Sequence, residues 1–162
     1  MRLVLLLCFL TSMGAARAQL VLGASNQEVK DAVQDYAETV RSFRLAAAEG
    51  LADAQYNLGL IYANGKGVLQ DYAEAVRWYR MAAAQGDARA QYNLGLMYAS
   101  GRGVVQDYVR AQMWLNIAAE SGASKKTVEN LDIFAEKMTS QQIAEAQRLA
   151  RECQARKFQR CD

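Results

Sequence analysis

Apolar positions recur every third or fourth residue along most of the chain, and glycines interrupt them at regular distances. Ala54, Leu58 and Tyr62 fall on one face, with Gly59 beside Leu58, which predicts a helix near 53–63 with a close-packing spot. Gly65-Lys66-Gly67 ends it, because glycine accepts the left-handed conformation found at helix C-termini. Asp71 opens the next helix, near 71–84, and Glu74 three residues on gives the pattern of a capping box. Ala75, Trp78, Tyr79, Ala82 and Ala83 form its apolar stripe, Gly86 stops it, and Asp87 caps the helix that follows. The same signals predict helices near 88–99 and 107–120, and another over Lys125–Lys137. Thr139 with Gln142 is a further capping box, flanked by the staple pair Met138 and Ile143, and it launches a last helix to about Arg156. Upstream, Ser25 with Glu28 caps a helix expected from about Asn26 to Ala48.

These elements repeat. Gln70–Val105 shifted back by 36 residues lies on Gln34–Leu69 with 25 identities, and Gln106-Asp107-Tyr108 opens a weaker third copy through Trp114, Ala118-Ala119 and Gly122. A fixed period of this size, holding a helix, a turn, a second helix and a second turn, marks an α-solenoid. In such an array each unit buries its apolar face only against its neighbours.

The pattern A-x-x-x-L-G-x-x-Y-x-x-G-x-G-V-x-x-D-Y-x-x-A-x-x-W-Y-x-x-A-A-x-x-G, present twice and partly a third time over roughly 31–123, resembles the Sel1-like repeat family, a relative of the tetratricopeptide repeat. The chain departs from it in two places. Leu69 and Val105 stand where the family often has proline, and the chain has no proline. Arg110 and Leu115 replace the usual acidic or polar residue and tyrosine, which makes the third unit a degraded end unit. The resemblance implies an all-α solenoid of helix-turn-helix repeats with a C-terminal capping helix pair. The expected organisation is a signal peptide over 1–18, an N-terminal helix over 19–50 completing a partial leading repeat, repeats at 51–86 and 87–122, and capping helices with a cysteine-containing tail over 123–162.

The signal peptide rests on Arg2, an apolar run over Leu3–Leu10 too short to span a bilayer, and the cleavage pattern Ala16-Arg17-Ala18. Export to a bacterial periplasm or beyond is the expectation, with no stable membrane span after cleavage. Cleavage would remove Arg2 and Arg17 of the 19 basic residues, leaving 17 against 17 acidic ones. A chain so balanced gives no electrostatic reason to bind nucleic acid, and the basic tail Arg148–Arg160, diluted by Glu145 and Glu152, reads as a solvated helix face.

Catalytic chemistry is scarce. Histidine is absent, which removes the commonest general base and metal ligand. No S-x-x-K motif occurs, and Gly65-Lys66-Gly67 lacks both the spacing and the following Ser or Thr of a phosphate loop. No catalytic, cofactor or metal residues are therefore expected. After signal cleavage two cysteines remain. Cys153 and Cys161 on one straight helix would lie about 12 Å apart by helix rise, too far to bridge. Either the chain turns back after about Arg156 and a Cys153–Cys161 disulfide pins the tail, the arrangement favoured in an oxidising compartment, or the thiols are free.

Binding is what remains. The first helices of successive units line the concave side of such an array. With Leu58, Gly59 and Tyr62 committed to packing, Tyr56, Asn57, Leu60 and Ala63 would face the groove, with Tyr92, Asn93, Leu96 and Ala99 one unit on. By resemblance to tetratricopeptide grooves, an asparagine at the position of Asn57 and Asn93 clamps an extended ligand; the competing reading is packing alone. Sel1-like proteins are generally adaptors, so a non-catalytic scaffold holding a peptide or protein partner is the expected function. Two alternatives stay open. One is a β-lactam binder or hydrolase like some cysteine-rich family members, against which stands the absence of cysteine from the repeats. The other is a purely structural envelope protein.

Overall fold

A computed structural model describes residues 26–28, 30–31, 34–122 and 124–161. The signal peptide and the Ser25 cap lie outside the described residues. The chain divides into two units at Thr39 and Val40. In the first, residues 26–28, 30–31 and 34–39 are helical, and the Thr39 hydroxyl donates to the Asp35 carbonyl at 2.8 Å.

The second unit is an all-α solenoid. It comprises α1 (40–48), α2 (Ala52–Asn64), α3 (Tyr72–Ala83), α4 (Ala88–Ser100), α5 (Tyr108–Glu120), α6 (Lys125–Ala135) and α7 (Ser140–Ala155). Gly65 and Gly101 end α2 and α4 in the left-handed conformation, φ 67° and 68°, returning their N–H groups to the carbonyls of Ile61 and Met97. Asp71 caps α3 by accepting from the amides of Ala73 and Glu74 at 2.9 and 3.0 Å. The reciprocal half of the expected capping box does not form. The Asp71 N–H instead donates to the Tyr62 carbonyl at 3.0 Å, and the Glu74 carboxylate is held by Arg77 at 2.9 Å. The box at Thr139 and Gln142 forms in both directions.

Helices α2 and α3 pack as a hairpin, as do α4 and α5, and α3 lies against α4. The close-packing spot is real. A Cβ at Gly59 would lie only 3.0 Å from Cζ of Tyr79, so hydrogen at this position lets the Tyr79 ring enter between α2 and α3. Leu115 does the same against Gly95 one unit later. The 36-residue period is kept at the level of single bonds. Gln55 donates to the Ala47 carbonyl at 3.2 Å and Gln91 to that of Ala83 at 3.4 Å; Arg44 donates to the Tyr62 hydroxyl and Arg80 to that of Tyr98, each at 2.7 Å. The two apolar clusters are built largely from alanine with a few large residues, among them Leu58, Tyr79, Leu94, Met113 and Ile117.

The last two helices cap α5 separately. Both pack on α5 and touch each other little. Beyond α7 the chain turns back, and Cys153 and Cys161 are bridged with their Cα atoms 5.1 Å apart. Lys157, Phe158 and Arg160 in that turn take positive φ, 51°, 62° and 54°. Among the described residues no helix is long and apolar enough to cross a membrane.

Candidate functional site

The row of side chains running from α2 to α4 is fixed by residues one period apart. Asp53 on α2 and Arg89 on α4, 36 positions later, form an ion pair across the two units. Tyr56, Asn57 and Leu60 of α2 and their copies Tyr92, Asn93 and Leu96 of α4 occupy corresponding positions of these two first helices.

Arg89 dominates the near end of the row. Its guanidinium also holds Asp87, the N-cap of α4, at 2.6 Å, and lies 4.4 Å above the ring of Tyr56. Partial burial pushes the Asp87 carboxyl up. Hydrogen bonds from the Arg89 side chain and from the backbone amides of Ala90 and Arg89 outweigh this and hold the carboxyl below its ordinary value. A depressed carboxylate adds stability that is present above its ordinary pKa and is lost as pH falls through the folded value. The parent chain is therefore expected to melt above an Asp87→Asn variant at neutral pH. That difference should shrink toward zero as pH drops below the ordinary value of 3.8. Thermal melts of the two proteins between pH 7 and pH 3 check this, and a gap that stays constant would contradict it.

The two asparagines are not equivalent. Asn93 hydrogen-bonds the phenol of Tyr79, whose pKa burial drives well above the ordinary tyrosine value. The Tyr79 ring thus passes Gly59 and reaches the next unit's asparagine. At the copy one unit earlier stands Phe43, which has no hydroxyl to offer. Asn57 accordingly turns its amide back to the Asp53 carbonyl of its own helix, at 2.8 Å, in an exposed bond. Asn93 is thus tied to the second helix before it, whereas the Asn57 amide bonds within its own helix. The tyrosines differ too. Tyr56 sits 6.1 Å, ring centre to ring centre, from Tyr79, and the Tyr92 hydroxyl accepts from Asn130 of α6 at 2.9 Å. Leu60 packs against the larger cluster, and Leu96 is half-buried.

The repeats' sequence shows which asparagine is engaged once the second-helix residues Phe43, Tyr79 and Leu115 are compared. Comparing the first helices alone does not. Among the described residues no group of three or more cysteine or acidic side chains could hold a metal ion.

Comparison with known proteins agrees with this architecture. The Sel1 repeat matches residues 52–87 and 88–122. A protective antigen of uropathogenic Escherichia coli strains, displaying an SLR fold, is 36% identical with a TM-score of 0.72 over 77% of this chain. A Sel1 repeat protein from Oxalobacter formigenes is 42% identical with a TM-score of 0.56 over 59% of this chain and 71% of its own. This chain spans 28% of the length of the E. coli protein. No curated relative matches the sequence.

Proposed function

The chain belongs to the Sel1 repeat family, and from that premise we propose that it is an exported, non-catalytic adaptor that holds a peptide or protein segment along the α2–α4 row. Proteins built from this repeat generally serve as interaction scaffolds and are generally non-catalytic. The observation that carries the reading is the asymmetry of the two asparagines. Asn57, half-buried beside Tyr56 and Leu60, spends its amide on an exposed bond to its own helix, while its copy Asn93 is engaged by the Tyr79 phenol. An amide offers both donor and acceptor to a peptide backbone, and the neighbouring ring and aliphatic chain give apolar area with little conformational freedom to lose. The ligand supported is an extended segment with an apolar side chain over Leu60 and Tyr56. Export to a bacterial periplasm or the medium rests on Arg2, the apolar run Leu3–Leu10 and Ala16-Arg17-Ala18.

The test is affinity capture from a cell-envelope fraction with the parent chain and two single variants. Asn57→Ala is expected to lower recovery of the captured partner at least about tenfold, the cost of about 1.4 kcal/mol, with unchanged melting. Asn93→Ala is expected to lower melting by about 1 kcal/mol of stability through the bond lost to Tyr79. Equal recovery by parent and Asn57→Ala would refute use of this row.

A further inference from the structure

The two sulfurs of the Cys153–Cys161 bridge stand in different surroundings. Cys153, on α7, is 3% exposed, whereas Cys161 is half-buried. Cys161 also lines two cavities. One, of about 440 Å3, lies between α5 and α7, with Met113 and Leu149 in its wall. The other, of about 450 Å3, reaches the end of α3 and is walled by Ala84, Trp114 and Phe158. A nucleophile entering either one meets Cys161.

The turn that brings Cys161 back to Cys153 is one its own residues disfavour. The Phe158 amide donates to the Cys153 carbonyl at 3.0 Å and the Lys157 amide to that of Gln154 at 2.8 Å. This is the Schellman pattern, in which the residue at the position of Lys157 is left-handed and is usually glycine. Gly65 and Gly101 supply the left-handed residue at the ends of α2 and α4. Here lysine takes φ 51°, and Phe158 and Arg160 follow at 62° and 54°. Such conformations at residues bearing side chains persist only where the surroundings over-determine them, and they gather at switch regions. Two non-covalent contacts help to hold the tail down. The Phe158 ring lies against Gly86, where a Cβ would be 3.3 Å from Cε2, and the Gln159 amide donates to the Ala84 carbonyl at 3.2 Å. Beneath them Trp114 is 2% exposed. The bridge is the one covalent restraint on this turn.

We propose that Cys161 is a site of thiol–disulfide exchange, at which the dithiol of a C-x-x-C oxidoreductase opens the bridge and frees the tail while the repeats stay folded. The first thiolate of the dithiol attacks Cys161 Sγ. The Cys153–Cys161 bond breaks as the new S–S bond forms, and Cys153 leaves as a thiolate that takes up a proton. The second thiolate then attacks the first cysteine of its own motif and expels Cys161, which is protonated in turn. The chain gains two electrons and two protons, and the dithiol becomes a disulfide. Bridges that are strained or accessible are the ones that exchange readily. Once opened, the tail no longer has to keep its left-handed turn, and it leaves Ala84, Gly86 and Trp114. The site lies on α7 and the tail, apart from the α2–α4 row, and does not depend on that row binding anything.

The probe is a C-x-x-C oxidoreductase whose second cysteine is replaced by serine, so that the first step is trapped as a mixed disulfide. Mixed with the oxidised chain, it is expected to form a covalent adduct that peptide mass mapping places on Cys161. An adduct on Cys153, or no adduct, overturns the proposal. With both its cysteines present, the same oxidoreductase is expected to move tryptophan emission to the red and leave the helical circular dichroism unchanged, and reoxidation should restore the emission. Emission that stays in place would mean that the tail does not leave. Loss of helical signal would mean that the bridge holds the fold rather than the tail. Either result overturns the proposal. Lys157→Gly, at an exposed position, should need at least about threefold more dithiol for half-reduction, because glycine adopts the left-handed turn freely. Equal half-reduction points in parent and variant would show that the turn does not favour opening, and would overturn the proposal too.

Discussion

Gly103→Ala is expected to lower stability by about 3 kcal/mol or more, a large single-site loss, and the melting temperature by roughly 10 °C. Gly103 has φ 72°, and a Cβ there would overlap the Tyr72 carbonyl and stand 2.8 Å from the Ala73 nitrogen. Those are backbone atoms at the start of α3. Asp71, which caps the Ala73 amide, is itself held by the Tyr62 carbonyl of α2, so this end of α3 is anchored where it stands. The glycine is thus where the turn after α4 presses on the unit before it, and the cost combines a left-handed side chain with a collision that no rotamer relieves. Gly122→Ala separates the two contributions. Its φ is 87° but nothing lies within 4 Å of the added carbon, so about 1 kcal/mol is expected there. Denaturant melts of both variants decide it: equal losses would mean that the turn does not bear on α3.

Opening the Cys153–Cys161 bridge is the second large effect. Closing a loop of this length removes enough freedom from the unfolded chain to contribute about 2.5 kcal/mol. Part of that is offset by the left-handed conformations that Lys157, Phe158 and Arg160 adopt in the closed tail. Cys161→Ser is therefore expected to lower stability by about 1–2 kcal/mol. It should also release Phe158 and Gln159 from Gly86 and Ala84. Tryptophan emission should move to the red as Trp114 meets solvent, and the parent should show the same change on adding a thiol reductant. Melting and emission indifferent to reductant would show that the tail holds without its bridge.

Most of the helix boundaries were legible because each rests on a local signal: Asp71, Asp87 and Asp107 at starts, and Gly65 and Gly101 at ends. The bridge was legible as one of two geometries, since it required the chain to turn after about Arg156, and α7 does end at Ala155. What no local pattern carries is contact between distant segments. Phe158 meets Gly86 across more than seventy residues, and nothing near either one announces it. The reciprocal capping box at Asp71 failed for the same reason, since its amide was taken by the Tyr62 carbonyl of the preceding helix. The candidate row shows an intermediate case. Two asparagines in identical local sequence, Gln-Tyr-Asn-Leu-Gly, do different work because the residue facing each comes from a different second helix.

That inequality has a consequence for how the chain finds its fold. Units that share 25 of 36 residues could pair out of register, a characteristic hazard of repeat arrays. The Tyr79 hydroxyl reaches Asn93, whereas Phe43 and Leu115 have none to give, and the Asp53–Arg89 pair joins positions where the copies differ. A slip by one unit would set Asn93 against Phe43 or Leu115, which have no hydroxyl, and move Asp53 away from its cation. The few places where the repeats disagree act as addresses, telling each helix which neighbour is its own.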